Sequence, residues 1–137
     1  QSMFNTPPVF AIYVMNRTLH WLKQNGGVDA MEALNNKKSN LIYSALDASK
    51  LFTGTAAKED RSTINIPFVF QKGAVAEDKV EALQKEFLSF TLERGLEQIK
   101  GHRSVGGFRA SIYNAMPIEG VQALVKAMAD FEKKILG

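Results

Sequence analysis

Residues 101–117 read GHRSVGGFRASIYNAMP, a stretch that combines two adjacent glycines with three side chains that are or can become positive. Glycine has no Cβ, so the pair can adopt a positive φ and let the backbone approach a ligand closely. An arginine guanidinium presents a planar fork of donors that fits a carboxylate or a phosphate. With His102, Arg103 and Arg109 around the bend, we expect this stretch to bind a small dianion.

The segments next to this stretch predict how it is held. Residues 96–100 are expected to form a strand that enters the loop, and residues 109–113 a strand that leaves it. Pro117 then marks the start of a helix, because proline suits the first helical position. Apolar residues recur along this helix at steps of three and four, namely Val121, Leu124, Met128, Phe131 and Ile135.

Two further helices are predicted at the N-terminus, on either side of the glycine pair at 26–27. Asn5 or Thr6 can cap the first, which covers about residues 8–25. The second covers about residues 28–47, and its apolar face consists of Met31, Leu34, Leu41, Ile42 and Ala45. The glycine break between them is either a hinge or an ordinary helix cap.

The middle of the chain changes from a strand pattern to a helical one. A short strand is expected near Phe52, and residues 64–70 alternate in the period of two that indicates a strand with one buried face. Pro67 cannot donate to a ladder, so we expect this strand to lie at an edge or to carry a bulge. A helix is predicted over residues 77–94. The aromatic core is expected to contain Phe52, Phe68, Phe70, Phe87 and Phe131.

This order of elements predicts an α+β fold. We expect a small antiparallel or mixed sheet of about four strands, packed on helices and preceded by the long N-terminal helices.

The composition limits the classes of function. The chain has 137 residues, 45% of them hydrophobic and 23% charged, as a soluble globular domain has. It has no cysteine and no apolar run long enough for a membrane span, so we expect a cytoplasmic protein without membrane contact. The net charge of +3 raises nucleic acid as a partner. Basic and acidic residues are interleaved rather than gathered in a stripe, however, so nucleic-acid binding is not expected.

The loop sequence, together with NTPP at 5–8 and RSTINIPF at 61–68, resembles the closing portion of the phosphoserine aminotransferases. These are pyridoxal-phosphate enzymes of the class V aminotransferases. The resemblance implies a homodimer that transfers an amino group from L-glutamate to 3-phosphohydroxypyruvate and gives L-phosphoserine for serine biosynthesis. It also implies that residues 1–30 are the tail and connecting helix of a large cofactor-binding domain, and that residues 31–137 are the C-terminal small domain.

The resemblance also implies roles for single residues. Arg109 matches the arginine that binds the α-carboxylate of the substrate, and His102 and Arg103 match residues that reach the substrate phosphate from the partner subunit. Asn5 and Thr6 match residues that contact the cofactor phosphate across the dimer interface. From the residues alone, helix capping is the favoured explanation for Asn5 and Thr6, and a bond to the backbone is the alternative for His102.

Three more residues of the matching pattern, Arg61, Ser62 and Asn65, are expected to support their strand. No lysine stands in the Ser-Ala-Gln-Lys context that the family uses for its Schiff base, and all the lysines are interpreted as surface residues. We therefore expect no catalytic residue and no metal ligand in this chain, and no activity from it alone. The alternative function is a non-enzymatic α+β module that binds a small phosphorylated ligand through the loop.

Overall fold

The computed structural model describes residues 4–137, which divide into two compact units, one ending at Leu34 and one running from Asn35 to Gly137. The described residues form four α-helices and three strands. In chain order they are α1 Val9–Gln24, α2 Gly27–Ala48, β1 Phe52–Gly54, β2 Asn65–Phe70, α3 Val80–Leu92, β3 Phe108–Ser111 and α4 Ile118–Leu136. The α+β class is confirmed, and the division into a tail at 1–30 and a small domain at 31–137 stays a prediction.

Helix α1 begins at Val9, and this contradicts the capping role that the sequence suggested for Asn5 or Thr6. Pro8 is the N-cap residue, no side chain caps the helix, and the N–H of Ile12 donates to the Pro8 carbonyl at 3.1 Å. Asn5 and Thr6 lie before the N-cap and therefore do not cap the first turn. No residue of this helix is buried.

The sheet is antiparallel in the order β1-β2-β3, with Phe52 opposite Phe70 and Phe68 opposite Phe108. It therefore has three strands within residues 4–137 rather than about four. The strand predicted at 96–100 is reduced to one bridge, between Lys100 and Phe108. The reason is local, because Gln98 has a φ of +61°, which no extended strand can contain.

The prediction for Pro67 was wrong, because β2 is the central strand. The N–H of Ile112 donates to the Ile64 carbonyl. The backbone groups of even-numbered residues of β2 therefore hydrogen-bond to β3, and those of odd-numbered residues point toward β1. Pro67 lies opposite Thr55, just beyond the end of β1, and accepts a bond from the Thr55 N–H at 3.4 Å. The N–H that Pro67 lacks would point beyond the end of β1, so no hydrogen bond between the named residues of β1 and β2 is lost.

Phenylalanine rings form the centre of the second unit. The Phe52 ring is fully buried and lies 4.9 Å from the Phe87 ring and 5.9 Å from the Phe68 ring, measured between centroids. Phe87 is also 4.8 Å from Phe108 and 5.0 Å from Phe131, both near edge-to-face. Such pairs add about 0.5–1.5 kcal/mol each beyond the area they bury. The predicted aromatic core is confirmed. Helix α4 also packs on it through its predicted apolar face, which includes Val121, Leu124 and Met128.

One carboxylate ties the end of α4 to the turn between α2 and β1. Glu132 accepts hydrogen bonds from the Ser49 hydroxyl and from the Lys50 N–H, the latter at 3.0 Å. Ser49 in turn accepts from the N–H of Phe52 at 2.8 Å, at the start of β1. Burial alone would raise the pKa of Glu132, but these donors outweigh it and hold the pKa below its ordinary value.

We predict that Glu132→Ala lowers the free energy of unfolding by about 1.5–3 kcal/mol, the usual worth of hydrogen bonds to a charged group. Because the folded-state pKa is depressed, the stabilisation is complete above the unfolded pKa and is lost as pH falls through the folded one. Urea unfolding between pH 7 and pH 3 measures both effects. Glu97→Ala, at an exposed position, is the control. A variant as stable as the control at pH 7 would contradict the prediction.

Candidate anion-binding site

The loop between residues 101 and 107 is closed by backbone hydrogen bonds. The N–H of Gly101 donates to the Gly107 carbonyl at 2.9 Å, next to the bridge between Lys100 and Phe108. Within the loop, the N–H groups of Val105 and Gly106 both donate to the His102 carbonyl, at 2.9 and 2.8 Å. These bonds give the loop a defined turn even though most of its side chains are exposed.

Glycine is required at both positions of the pair. Gly106 and Gly107 have φ values of +74° and +62°, so the positive φ expected from the sequence is confirmed. A Cβ on Gly107 would also lie 2.6 Å from the Val69 Cγ1 and 2.8 Å from the Phe68 carbonyl oxygen, whereas one on Gly106 would meet nothing within 4 Å. Where the loop joins β3, the backbone of Gly107 therefore lies directly against β2.

His102 is exposed and turns one ring nitrogen back onto the loop. Its Nδ1 lies 2.7 Å from the Ser104 Oγ and accepts a hydrogen bond from the Ser104 N–H at 3.3 Å. A backbone N–H can only donate, so the neutral ring carries its proton on Nε2. The backbone bond considered in the sequence alternative thus exists, and it leaves Nε2 as a donor toward solvent.

Arg109 lies on β3, directly after the loop, and its side chain is half-buried. Phe108 and Ala110 are buried, so alternation along the strand puts Arg109 on the sheet face opposite the phenylalanine core. Its Nε is buried and has no hydrogen-bond partner among residues 4–137. A buried N–H without a partner costs about 1–3 kcal/mol, which an anionic ligand at this position would recover.

The three cationic candidates share one hairpin. His102 and Arg103 are exposed in the loop, and Arg109 follows it on the strand. No hydrogen bond joins the three side chains to each other or to a carboxylate in the described part of the chain. Asn5 and Thr6 belong to the first unit and are exposed.

Arg61 shows what a structural arginine looks like in the same molecule. Its guanidinium binds Asp47 through two bonds of 2.8 and 2.5 Å and lies 4.4 Å above the Tyr43 ring. Its Nε, like that of Arg109, is buried without a hydrogen-bond partner among the described residues, so the ion pair is what distinguishes the two arginines. Tyr43 donates to the Ser62 carbonyl at 2.9 Å, and the Asn65 Oδ1 accepts from the Ser111 hydroxyl at 2.9 Å. The supporting role expected of this segment is confirmed, although the strand it supports is central.

A groove of about 490 Å³ lies between the end of α2 and α4, and none of the five candidate residues lines it. Its polar lining includes Ser49 and Glu132, which hold the fold together.

Sequence reasoning missed Lys38, which is completely buried although every other lysine of residues 4–137 is exposed. Its Nζ donates to the carbonyl oxygens of Ile112, Tyr113 and Met116 at 3.2, 2.9 and 3.2 Å. Burial lowers the pKa of this ammonium. The missed signal is its spacing, because Lys38 precedes Ile42 by four residues and Leu46 by eight and so shares their buried face.

The sequence of this chain is similar to a known protein family and to several of its members. The Aminotransferase class-V family matches residues 1–124. The phosphoserine aminotransferase of Porphyromonas gingivalis is 54% identical over 133 residues, and that of Bacillus cereus is 53% identical over 131. These matches cover 97% and 96% of this chain but 35% and 34% of the relatives, so the chain spans about a third of their length.

Solved structures agree in fold. The phosphoserine aminotransferase from Bacillus circulans subsp. alkalophilus superposes with a TM-score of 0.85 at 42% identity, covering 97% of this chain and 35% of that one. The pyridoxal-phosphate-bound enzyme from Trichomonas vaginalis gives 0.82 at 46% identity, covering 93% and 34%.

The chain therefore belongs to the class V aminotransferases, a family that uses pyridoxal phosphate. Within it, the chain corresponds to a C-terminal portion of the phosphoserine aminotransferases. No helix within residues 4–137 combines the length and apolar character that crossing a membrane requires.

We predict that Gly107→Ala destabilises the chain more than Gly106→Ala does. Both substitutions force a side chain into the left-handed region, at about 1–2 kcal/mol. Only the Cβ at 107 also collides with Val69 and with the Phe68 carbonyl. Thermal unfolding of the two variants measures the difference, with Gly106→Ala as the matched control. Equal losses of stability would show that the loop does not approach β2 as closely as described.

Proposed function

We propose that this chain is the C-terminal part of an enzyme that transfers an amino group from L-glutamate to 3-phosphohydroxypyruvate. The product is L-phosphoserine, for serine biosynthesis. The observation that carries the proposal is the Arg109 side chain, which is half-buried, has a buried Nε without a partner and forms no ion pair within residues 4–137. The similarity to phosphoserine aminotransferases supports the choice of reaction.

Arg109 is proposed to bind the α-carboxylate that both amino-acid substrates carry. A guanidinium pairs with a carboxylate through two parallel hydrogen bonds, which fix the orientation of the substrate as well as its position. Arg109 is suited to this role because it is on a strand, and its backbone N–H donates to the Ile99 carbonyl at 2.7 Å. This bond restrains its backbone on the side that faces Ile99.

His102 and Arg103 are proposed to bind the substrate phosphate from the partner subunit of a homodimer. Both are exposed on a glycine-hinged loop, as residues that complete a neighbouring site must be. The imidazole Nε2 donates in the neutral ring and keeps its proton in the charged one, so it can face a dianion in either state. Arg103 can pair with the phosphate of one substrate and the side-chain carboxylate of glutamate.

The cofactor is proposed to be pyridoxal phosphate, and this chain fits only its phosphate end. Asn5 and Thr6 are exposed and are not used to cap α1, so an amide and a hydroxyl are free to bind phosphate oxygens. When bound, the cofactor supplies an electron sink for the bond that is broken at the substrate Cα. Lys38 does not fit as its covalent partner, because three carbonyls already hold its ammonium.

Alone, the chain is proposed to be inactive, with residues 1–30 belonging to a larger cofactor-binding domain and the whole enzyme working in the cytoplasm. The test is to join the upstream part of the Porphyromonas gingivalis relative to residues 1–137 and assay glutamate-dependent formation of phosphoserine. Activity in the joined protein, and none in the chain alone, is expected. An inactive joined protein contradicts the proposal. If the chain alone then binds phosphoserine at amides 101–109, it is the non-enzymatic module instead.

In the joined enzyme, we predict that Arg109→Ala lowers kcat/KM for both phosphoserine and glutamate, because both carry the α-carboxylate. Arg103→Ala should harm the phosphorylated substrate more. A charged contact is worth about 1.5–3 kcal/mol, or roughly 10- to 150-fold in kcat/KM. Steady-state kinetics with each substrate measures the losses, and Arg94→Ala, whose guanidinium lies over the Phe90 ring, is the control. Negligible losses in both test variants would refute these roles.

A further inference from the structure

Lys38 holds the backbone that directly follows the Arg109 strand. The three carbonyls that it binds belong to Ile112, Tyr113 and Met116, which connect the end of β3 to the start of α4. A second tie from the same helix lies beside it, because the Asn35 Nδ2 donates to the Asn114 Oδ1 at 2.7 Å. Helix α2 is thus attached to this connection through two polar side chains.

Burying the Lys38 ammonium has a cost that its three hydrogen bonds offset. A buried ammonium loses its hydration, and no carboxylate of residues 4–137 lies within ion-pair distance of Lys38 to compensate. An apolar side chain of the same length would avoid this loss of hydration but would leave the three carbonyl oxygens without their Lys38 donor. The three N–H donors of the ammonium bind three carbonyl oxygens and so fix the positions of these oxygens relative to one another.

The strand that carries Arg109 needs such an anchor. Strand β3 has four residues and lies at an edge of the sheet, and the bond from the Ile112 N–H to the Ile64 carbonyl is made just after it ends. On its outer side, the Arg109 N–H bonds to Ile99, in a segment that forms no strand. The Lys38 bonds begin at Ile112, three residues after Arg109.

We propose that Lys38 is a positioning residue for Arg109: by binding three carbonyls it fixes the end of β3, and with it the guanidinium that receives the substrate carboxylate. This inference rests on the proposed function, which supplies the role of Arg109. Lys38 itself touches neither substrate nor cofactor.

The kinetic test uses Lys38→Met in the joined enzyme, because methionine is of similar length and cannot donate. A displaced guanidinium binds substrate less well, so KM for both phosphoserine and glutamate should rise about tenfold, since small misplacements have large effects. The turnover number should change less than twofold. Lys126→Met removes an exposed lysine that pairs with Asp130 and should change neither value. A loss in turnover number alone, or a KM equal to that of the control, overturns the proposal.

A second test uses residues 1–137 as they are and follows amide hydrogen exchange. Lys38→Met should speed exchange at the amides of Arg109 and Ile112 at least tenfold relative to Lys126→Met, while the amide of Phe87 in α3 stays as protected as in the control. Equal acceleration throughout the second unit would reveal a general loss of stability and would overturn the positioning role, as would no acceleration at all.

If Lys38→Met fails to fold, Asn35→Ala replaces it in the exchange experiment, because this substitution removes only the single hydrogen bond to Asn114. It should speed exchange at amides 112–116 selectively, and unchanged exchange there counts against the proposal. Failure of the proposed function has a different signature, which is a joined wild-type enzyme without transaminase activity. In that case the exchange experiments still decide whether Lys38 anchors the strand.

Discussion

The pairing of β2 with β3 fixes both the core and the candidate site. Phe68 lies opposite Phe108, and successive residues of a strand point to opposite faces. The same register that sends Phe108 and Ala110 into the phenylalanine core therefore sends Arg109 to the other face. A slip of one residue would bury the guanidinium and expose the rings, so the aromatic core protects the position of the arginine.

Two arginines of the second unit illustrate how a fold separates structure from function. Arg61 is bound by a carboxylate on one side and stacked on an aromatic ring, and its task is to hold the segment that precedes β2. Arg109 has neither partner within residues 4–137, although its Nε is as buried. Both Nε atoms are buried without a hydrogen-bond partner in the described part of the chain, so the two arginines differ in ion pairing, which only Arg61 has there. Composition could not have distinguished them.

Much of this architecture could be predicted from the sequence because it depends on local patterns. The helical periods, the alternation from Ile64 to Phe70 and the two left-handed glycines all follow from backbone geometry. The errors have other causes, one of them in the relation between two strands and one in the conformation of a single residue. The position of Pro67 depends on where β1 ends, and the loss of the strand before the loop depends on the conformation of Gln98. Lys38 escaped notice because its acceptors lie more than seventy residues away.

For the site, the sequence predicted the cationic residues and the glycine bend. The structure adds that His102 and Arg103 are exposed and that Arg109 is half-buried with an Nε that has no partner within residues 4–137. It also removes helix capping as an explanation for Asn5 and Thr6. The matched portion is about a third of the relatives' length.

The most direct measurement is a crystal structure of the joined full-length enzyme with pyridoxal phosphate and phosphoserine. If Arg109 binds the α-carboxylate, two distances of about 2.7–3.2 Å are expected between its guanidinium nitrogens and the α-carboxylate oxygens of phosphoserine, as in a bidentate pair. An α-carboxylate held by other residues, with the Arg109 guanidinium out of hydrogen-bond reach, would contradict this role.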